Sequence, residues 1–475
     1  MFVQTPVSQT GHTRDRKVKE AMRKNYLLTI LMVVLTFNSV DRSFLGLVLQ
    51  NIKADLSLSD TQLGFLSGIA FALIYAIMNI PVARWADRGN RVTIITIATV
   101  LSSAAVALCG AACTFSQLLL IRIGVAVGEG GSVPPAHSLI ADYFTRSERP
   151  RAVTRYMLGY PLSLVIGFFA GGWLNEFYGW RATFIMLGLP GLALAGWAWF
   201  SLREPRRVNP AMGVAGKVSP STLSQLGAMA LSVSSPSVKE VSMALWANTT
   251  FRQLLFSVSV NAFFAYGIVQ WLPAFFIRSY GLTTGELGTW LAAIQGLGGL
   301  VGYYLGGEWA SRYAANNECL QLKAIAFVTA GFGIVSAFIY LSPNLHMAFG
   351  LLVVATVGGL TINGPLFALI QTLVPQRMRA TAVAVIFLFT NLIGGLGPWA
   401  AGALSDALRP LMGEESLRYS LMALCPGYFW SAYHFWRGSK TVAHDVEAAY
   451  PITDSTFPQD TVAWPDRLCR SSPEI

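Results

Sequence analysis

Four ionisable residues interrupt apolar segments in the first half of this sequence. Asp41 and Arg42 lie in the first segment, whereas Arg122 and Glu129 lie in the fourth. In a membrane-spanning helix an ionised group costs ~2.5–3.5 kcal/mol, so it normally faces a partner or a water-filled cavity. The seven-residue spacing of Arg122 and Glu129 places them on one helical face, about 10 Å apart. We therefore expect Arg42 to pair with Glu129 across two helices.

These two acids and two arginines permit two interpretations. In the first, they are static ion pairs that only orient the helices. In the second, they form a site for a proton and a substrate, since desolvation and a nearby arginine act in opposite directions on the proton affinity of a buried carboxyl group. We favour the second interpretation, in which Asp41, Arg42, Arg122 and Glu129 are the functional residues.

The second half of the sequence does not repeat these charges. A motif of the first half recurs 224 residues later in the second half. At this offset, Ala265 and Tyr266 correspond to Asp41 and Arg42. We therefore expect the second half to supply shape and apolar contacts to a cavity. The candidate lining residues are Phe263, Phe264, Tyr266, Trp271, Asn363, Phe387 and Asn391. For each aromatic residue, packing in the core or against lipid is the alternative.

A charged loop follows the second apolar segment. It reads Ala83-Arg84-Trp85-Ala86-Asp87-Arg88-Gly89-Asn90-Arg91. An acid flanked by arginines at a helix end can bond to the N-terminus of a helix in the other half, which makes a gate latch. The alternative is a solvated turn that only sets the membrane topology.

The composition requires lipid as the solvent for much of the chain. Of 475 residues, 53% are hydrophobic and 12% are charged, about half the ~25% charged residues of soluble domains. The mean hydropathy is +0.50. A formal charge of +10 can indicate nucleic-acid binding, but here the basic residues lie in loops between apolar runs, as the positive-inside rule requires. We expect no nucleic-acid partner.

The apolar runs predict about twelve spans of ~20 residues each. The first six lie near 25–50, 61–83, 92–115, 117–142, 152–173 and 182–202. The second six lie near 251–277, 286–310, 320–341, 346–373, 380–404 and 420–436. This predicts an all-α membrane protein of two six-helix bundles.

The predicted domains follow from these spans. They are an N-terminal arm (1–24), a first bundle (25–203), a polar linker (204–248), a second bundle (249–437) and a polar, disordered tail (438–475). Basic residues cluster in the arm, in the loops after spans 2 and 4, and in the linker. The positive-inside rule then puts both termini in the cytoplasm of a cell membrane, which is the inner membrane if the source is bacterial.

The two halves share a motif at a constant offset. The run 58–64 reads Leu-Ser-Asp-Thr-Gln-Leu-Gly, and the run 282–288, 224 residues later, reads Leu-Thr-Thr-Gly-Glu-Leu-Gly. At the same offset, Trp-Ala-Asp-Arg at 85–88 matches Trp-Ala-Ser-Arg at 309–312. Two matches at one offset indicate a six-span unit used twice, which is a known plan for transporters.

The motifs of several enzyme classes are missing from the sequence. It has no phosphate-binding loop of the Walker type, no spaced metal ligands and no nucleophile with a matching base. We therefore predict that the chain is not an enzyme, binds no cofactor or metal, and uses an ion gradient rather than ATP. We expect a monomer in the lipid bilayer.

Over residues 25–437 the sequence resembles the major facilitator superfamily. The loop at 83–91 is similar to that superfamily's signature loop, although Ala83 and Asn90 replace its two usual glycines. A narrower resemblance is to the Spinster-like transporters. The segments that carry it are 41–42, 58–64, 83–88, 124–129, 134–136, 142–144 and 271–273.

This resemblance implies functions for particular residues. Asp41, Arg42 and Glu129 would be the positions for proton coupling and substrate, with Arg122 in support. Asp87, Arg88 and Arg91, with Arg151 of the loop after span 4, would form a cytoplasmic gate. Members of the group are linked to proton-coupled transport and to export of lysolipids and sphingolipid phosphates.

The predicted function is proton-coupled transport of a small amphipathic or anionic solute by alternating access. Arg42 would hold the anionic group, while Glu129 and Asp41 would exchange protons. Two alternatives are also transporters: one of organic anions or sugar acids, and a drug exporter. A third alternative is a membrane receptor that moves no solute.

Overall fold

The fold is built of helices throughout its described part. A computed structural model describes residues 9–145, 148–205, 243, 245–314, 317–373 and 379–449, and within these ranges it contains no β-strand. In the first half the helices are α1 (Gln9–Leu56), α2 (Asp60–Ser67), α3 (Ile69–Arg88), α4 (Arg91–Cys109), α5 (Phe115–Gly130), α6 (Val133–Tyr143), α7 (Arg149–Met157), α8 (Gly159–Val165) and α9 (Gly171–Ser201).

The second half continues with eleven described helices. They are α10 (Thr249–Tyr280), α11 (Thr284–Leu291), α12 (Gly298–Tyr313), α13 (Glu318–Leu341), α14 (Leu345–Thr361), α15 (Asn363–Thr372), α16 (Arg379–Gly394), α17 (Leu396–Met412), α18 (Ser416–Leu424), α19 (Gly427–Ser439) and α20 (Val442–Ala449). Short π-helical segments, Ile166–Ala170 and Ala292–Leu297, join helices within a longer helical run.

Every predicted span overlaps one or more of these helices. Among the described residues, eight helical stretches are long and apolar enough to cross a bilayer. Two of them, Arg151–Ser201 and Ala382–Ser439, contain 51 and 58 residues, which is more than twice the ~20 residues that one crossing needs. The helices therefore fit a chain that crosses the membrane many times.

Residue contacts divide the chain into two compact units. The first unit takes in Met1–Phe44, Ile74–Gly167 and Phe177–Ser219. The second takes in Leu45–Leu73, Phe168–Glu176 and Pro220–Ile475. The second unit therefore contains, besides the second half of the sequence, two segments that come from the first half.

The first unit has its core between α1, α4, α6 and α7. Leu31, Ile95, Leu139 and Tyr156 are buried there in one apolar cluster. Helix α5 packs closely on α4 because Gly128 has no side chain: a Cβ atom at this position would overlap the backbone nitrogen of Ser102. This close approach fixes the position of the residue that follows, Glu129.

Breaks within the predicted spans have local causes. The predicted span 117–142 is divided between α5 and α6, and Pro134 and Pro135 stand in the first turn of α6, where proline needs no N–H partner. Between the predicted spans 152–173 and 182–202, helix α9 has a kink at Gly179, whose φ of 78° is in the left-handed region that favours glycine.

The second unit has its core between α10, α13, α15 and α19. Leu254, Leu322, Leu369 and Phe435 are buried in one cluster, and Val442 of α20 belongs to it. The backbone N–H of Thr250 donates to Asp445 of α20 at 2.7 Å. The prediction of a disordered tail after Arg437 is therefore wrong up to residue 449, because Val442 buries an apolar side chain that the polar composition of the tail concealed.

Other predicted segments fall largely outside the described residues. These are the N-terminal arm up to residue 8, the linker between residues 206 and 242, and the tail from residue 450. The remainder of the arm, from Gln9 onward, belongs to α1.

The contact at Gly128 predicts a large effect of a single methyl group. We expect Gly128→Ala to destabilise the protein by ~1–3 kcal/mol, since the added atom must push α5 away from α4. The melting temperature of the detergent-purified protein would measure this loss. Gly196→Ala in α9 is the matched control, because a Cβ there meets no atom within 4 Å; equal melting temperatures for the two variants would contradict the prediction.

Candidate functional site

Arg42 and Glu129 form an ion pair within the first unit. The Nε and Nη2 atoms of Arg42 both donate to Oε2 of Glu129, at 2.8 and 2.5 Å. The other carboxylate oxygen, Oε1, is buried and has no hydrogen-bond partner among the described residues. One oxygen of Glu129 thus holds the guanidinium group, whereas the second is buried without a hydrogen bond from the described residues.

The two partners differ in their access to the surroundings. The side chain of Arg42 keeps 37% of its surface exposed, whereas that of Glu129 keeps 3%. The guanidinium of Arg42 also lies over the ring of Tyr75, 5.0 Å from its centroid, which is within the range of a cation–π interaction. The cation is therefore oriented by an acid and a ring, and part of its side chain remains exposed.

Polar contacts between α1 and α4 hold Arg42 in place. One turn before Arg42, the Nδ2 atom of Asn38 donates to Thr99 at 3.3 Å. The hydroxyl of Ser102 donates back to Oδ1 of Asn38 at 2.9 Å. These bonds fix the rotation of α1 against α4, and Gly128 fixes α5 against the same helix. Helix α4 is thus the common support for both members of the pair.

Asp41 and Arg122 form a second pair that is sealed. Nη1 of Arg122 donates to Oδ2 of Asp41, and both side chains are almost completely buried. Burying a charge pair is costly unless each charge is compensated, and removing one partner leaves an uncompensated charge. This pair has the properties of a fixed tie between α1 and α5.

The four residues named from the sequence therefore fall into two pairs of different character. Both pairs join α1 to α5, but only the pair Arg42–Glu129 has an exposed member. Within the residues that the structure covers, no group of three or more His, Cys, Asp or Glu side chains could hold a metal ion. The site as described therefore consists of two ion pairs between the same two helices.

The predicted gate residues have different environments. Arg91 is fully buried: its backbone N–H and Nε both donate to Oε2 of Glu204, at 2.8 and 3.2 Å. Its Nη1 atom contacts Ser138 and Asp142, at 2.9 and 2.7 Å. All these partners belong to the first unit, so Arg91 ties the start of α4 to the ends of α6 and α9.

The other three predicted gate residues have fewer described contacts than Arg91. Arg88 and Arg151 are exposed, at the end of α3 and near the start of α7. Asp87 belongs to α3, but its side chain lies outside the described part of the structure.

The candidate lining residues of the second half are dispersed over three helices of the second unit. Phe387 is half-exposed and stacks on Phe367 with ring centroids 5.3 Å apart. Asn391 donates to the carbonyl oxygen of Phe387 at 2.8 Å, within its own helix. The ring of Tyr266, half-exposed, covers Gly394. Phe263, Phe264 and Trp271 share α10 with Tyr266, and Asn363 begins α15.

Sequence reasoning missed an ionic cluster around Asp60 in the second unit. Arg278 of α10 binds this buried carboxylate with both terminal nitrogens, at 2.8 and 2.6 Å. Lys53 of α1 donates to the same carboxylate at 2.6 Å. The hydroxyl of Ser405 also donates to it, at 2.8 Å. Nε of Arg278 donates to Gln50 of α1 at 2.7 Å. The cluster joins segments from both halves of the sequence.

The first turn of α2 is held by a carboxylate from α17. Asp406 accepts the backbone N–H groups of Asp60 and Thr61, at 3.1 and 2.7 Å, and the hydroxyl of Thr61 at 2.6 Å. A carboxylate at a helix N-terminus meets unpaired N–H groups and the positive end of the helix dipole. Its charge also balances the cluster, which contains two acids and two bases.

The first turn of α11 has a corresponding arrangement. Glu176 of α9 accepts the backbone N–H of Thr284 at 3.1 Å and its hydroxyl at 3.2 Å. Nδ2 of Asn175 donates to the same hydroxyl at 2.8 Å. Thr284 stands 224 positions after Asp60, so the repeated motif begins two helices that are each capped by an acid from the other half of the sequence.

The glycine of each motif copy lies at a close helix crossing. A Cβ atom on Gly64 would overlap the carbonyl oxygen of Pro398, and one on Gly288 would overlap that of Phe168. The shared Leu-Gly ending of the two motifs was therefore the available signal for this contact. The acids that complete it, Glu176 and Asp406, lie outside the motif, and no spacing rule pointed to them.

Comparison with known proteins identifies the family. The sequence profile of the Major Facilitator Superfamily matches residues 31–398. A protein of Mycolicibacterium smegmatis named as an MFS-type efflux pump is 29% identical over 422 residues, which are 88% of this chain and 93% of that protein. The gallate transporter of Pseudomonas putida is 25% identical over 436 residues, which are 85% of this chain and 91% of that protein.

A solved structure gives the same fold. It is the crystal structure of a bacterial homologue of the human lysosomal transporter Spinster, in an inward-facing and unoccupied conformation, with a TM-score of 0.76 and 28% identity. The match covers 89% of this chain and 98% of that chain. The predicted all-α membrane fold and the predicted resemblance to Spinster-like transporters are thereby confirmed. The chain is similar to Spinster-like proteins, and its relatives are transporters rather than enzymes. This chain belongs to the Major Facilitator Superfamily of membrane transporters.

Proposed function

We propose that this transporter couples the movement of an amphipathic anionic solute to that of a proton, with Arg42 as the anion site and Glu129 as the proton site. The single observation that carries the proposal is the pair itself: a buried acid whose only described ion-pair partner is a half-exposed arginine. Among such solutes, a lysolipid or a sphingolipid phosphate fits the resemblance to Spinster-like proteins.

Charge compensation explains the coupling. In the resting pair the negative Glu129 neutralises Arg42. When an anion binds Arg42 while Glu129 stays ionised, the site has an excess negative charge in surroundings of low polarity, which is unfavourable. A proton on Glu129 removes that excess and releases the guanidinium for the anion. Proton and anion therefore bind together, and each one raises the affinity for the other.

The geometry of Glu129 suits this exchange. Its Oε2 atom accepts both bonds from Arg42, while Oε1 has no hydrogen-bond partner in the described residues. A proton can be added at Oε1 before the bonds at Oε2 break. A guanidinium group in contact with lipid at bilayer depth costs free energy. We therefore assign the exposed surface of Arg42 to an aqueous cavity.

Asp41 has a different role in this proposal. The sequence left open which acid carries the proton, and Asp41 is sealed against Arg122. We therefore assign proton exchange to Glu129 and assign the pair Asp41–Arg122 to positioning of α1 against α5.

Alternating access needs junctions that open and close. We propose that the Asp60 cluster and the contact of Thr284 with Glu176 close the external side, where segments of both halves meet within the second unit. The charged loop around Asp87 and Arg88, with Arg151, would act on the cytoplasmic side, and Arg91 would support it from within the first unit. Both termini are then cytoplasmic, in a cell membrane.

A second candidate function is transport of an aromatic or other organic acid. It is favoured by the likeness to the gallate transporter of Pseudomonas putida. Arg42 and Glu129 would act in the same way on a carboxylate. A thermal-shift panel of amphipathic phosphates and organic acids, followed by flux measurements of the stabilising compounds at two pH values, distinguishes the two substrate classes.

Replacement of Glu129 tests the coupling. In proteoliposomes we expect Glu129→Gln to abolish uptake driven by a pH gradient, because the amide cannot exchange a proton, while the melting temperature changes little. Counterflow with the same pH on both sides of the membrane should continue in this variant, and its rate should no longer change when that pH is varied. Arg42→Ala should abolish both activities, since the anion loses its partner.

The control is Glu414→Gln, which removes one side of an exposed ion pair with Arg409. Exposed pairs contribute ~0–1 kcal/mol to stability, so this variant should transport like the wild type. Uptake that is still driven by a pH gradient in Glu129→Gln would refute the assignment of the proton site.

Replacement of Arg278 tests the proposed external junction. Breaking a buried pair costs ~3–5 kcal/mol, and we expect the low end for Arg278→Ala because Lys53 still binds Asp60. The junction should then open more often and expose the amide of Thr61, which donates to Asp406. Deuterium uptake by a peptide covering 58–66, measured by mass spectrometry, should accelerate by about tenfold or more.

Arg409→Ala is the matched control, since Arg409 lies on the same helix as Asp406 but pairs with Glu414 at the surface. This variant should leave the deuterium uptake by the peptide 58–66 unchanged. If the peptide 58–66 takes up deuterium at the same rate in Arg278→Ala and in Arg409→Ala, the Asp60 cluster does not hold the junction closed.

A further inference from the structure

Helix α19 presents an exposed aromatic face on the outside of the second unit. One side of the helix is buried in the unit and includes Tyr428, Ala432 and Phe435. The other side is half-exposed, and its large side chains recur every three or four residues, which places them in one stripe along the helix. This aromatic face consists of Phe429, Trp430, Tyr433 and Trp436.

Contacts with α10 fix part of the aromatic face. Nε1 of Trp430 donates to Nε2 of His434 at 3.1 Å, so Nδ1 of the neutral imidazole carries the hydrogen and donates to Oε1 of Gln253 in α10, at 2.6 Å. Phe256 of α10 packs on His434 with ring centroids 6.0 Å apart, and Trp246 packs on Phe256 at 6.3 Å. The rings therefore hold one another in a defined arrangement.

Two cations lie over the last rings of the face. Nζ of Lys440 is 3.8 Å from the ring centroid of Trp436. Cζ of Arg437 is 5.8 Å from that of Tyr433, and its Nη1 atom donates to the hydroxyl of Tyr433 at 3.4 Å. Each cation covers the ring four residues before it, so both side chains extend back towards the apolar part of α19.

These two cations lack the acidic partner that other exposed arginines of the second unit have. Arg312 and Arg409 each bind a nearby glutamate, whereas neither Arg437 nor Lys440 forms an ion pair among the described residues. The membrane-spanning stretch that contains α19 ends at Ser439. Two unbalanced positive charges therefore lie where an apolar helix reaches the membrane surface.

We propose that the aromatic face of α19, with Arg437 and Lys440 at its end, binds an anionic phospholipid of the surrounding bilayer. The two cations pair with the phosphate of the headgroup. The exposed Trp and Tyr rings lie at headgroup depth, where such rings are enriched, and the acyl chains extend along Phe429. A zwitterionic lipid binds less tightly, because its own cation already neutralises its phosphate.

The inference goes beyond the proposed function, since neither Arg42 nor Glu129 takes part in it. Both of those residues belong to the first unit, whereas the lipid site lies entirely in the second. The variant Glu129→Gln should therefore bind the lipid like the wild type, whatever its effect on transport. Failure of one proposal is thus distinguishable from failure of the other.

Native mass spectrometry of the full-length protein in detergent tests the inference. The probes are dioleoyl phosphatidylglycerol, dioleoyl phosphatidylcholine and glycerol phosphate, the last of which is a soluble headgroup without acyl chains. We expect saturable binding of phosphatidylglycerol, at least fivefold weaker binding of phosphatidylcholine, and no saturable binding of glycerol phosphate at the same concentrations.

A double variant removes the two charges and keeps the aliphatic stems of the side chains. We expect Arg437→Gln, Lys440→Gln to weaken phosphatidylglycerol binding by about tenfold or more and to leave phosphatidylcholine binding unchanged. The matched control is Arg312→Gln, Arg409→Gln, which removes the same charge from two exposed ion pairs and should bind like the wild type. The exchange Arg437→Lys, Lys440→Arg keeps both charges and should retain binding within about threefold.

Four results would overturn the inference. The first is equal affinity for phosphatidylglycerol and phosphatidylcholine, which would make the face an ordinary lipid-exposed surface. The second is an equal loss of binding in the two glutamine double variants, which would indicate a general charge effect. The third is binding of glycerol phosphate as tight as that of the lipid. The fourth is a two-chain particle that Arg437→Gln, Lys440→Gln dissociates, which would assign the face to contact between copies.

Discussion

An uncompensated charge is costly in a buried interior, and this constraint governs how the helices of this transporter meet. The buried charges described above lie against partners of opposite sign, and four of these contacts join helices that are distant in the sequence. The contacts are Arg42–Glu129, Asp41–Arg122, Arg91–Glu204 and Arg278–Asp60. Apolar packing fills the units, but charge pairing selects which helices must meet and at what rotation.

The same constraint separates structural pairs from a pair that can work. A pair with both members sealed, such as Asp41–Arg122, can change only at a large cost, because no other charge can reach it. In the pair Arg42–Glu129 one member is partly exposed, and the mechanism that we propose uses this exposure: an anion takes the place of the acid once a proton has neutralised it. The two pairs lie between the same two helices, so accessibility is what distinguishes them.

The repeated motif shows how one sequence pattern produces two matched junctions. Each copy begins a helix whose first N–H groups need acceptors, and each receives a carboxylate from the other half of the sequence, Asp406 for α2 and Glu176 for α11. The glycine in each copy then lets a second helix approach. Each junction thus combines a polar cap at the start of a helix with close backbone packing at a glycine.

The sequence by itself determined the membrane environment, the helices and which apolar segments carry a charge. The long apolar runs require lipid as their solvent. A charged residue inside such a run, such as Arg42 or Glu129, is recognisable from the sequence alone. The tertiary structure decided how the charges are paired and which of them is accessible, since spacing along one helix does not give the rotation of its neighbours. It alone placed Asp406 against the first turn of the helix that begins at Asp60, because no local pattern connects these two residues.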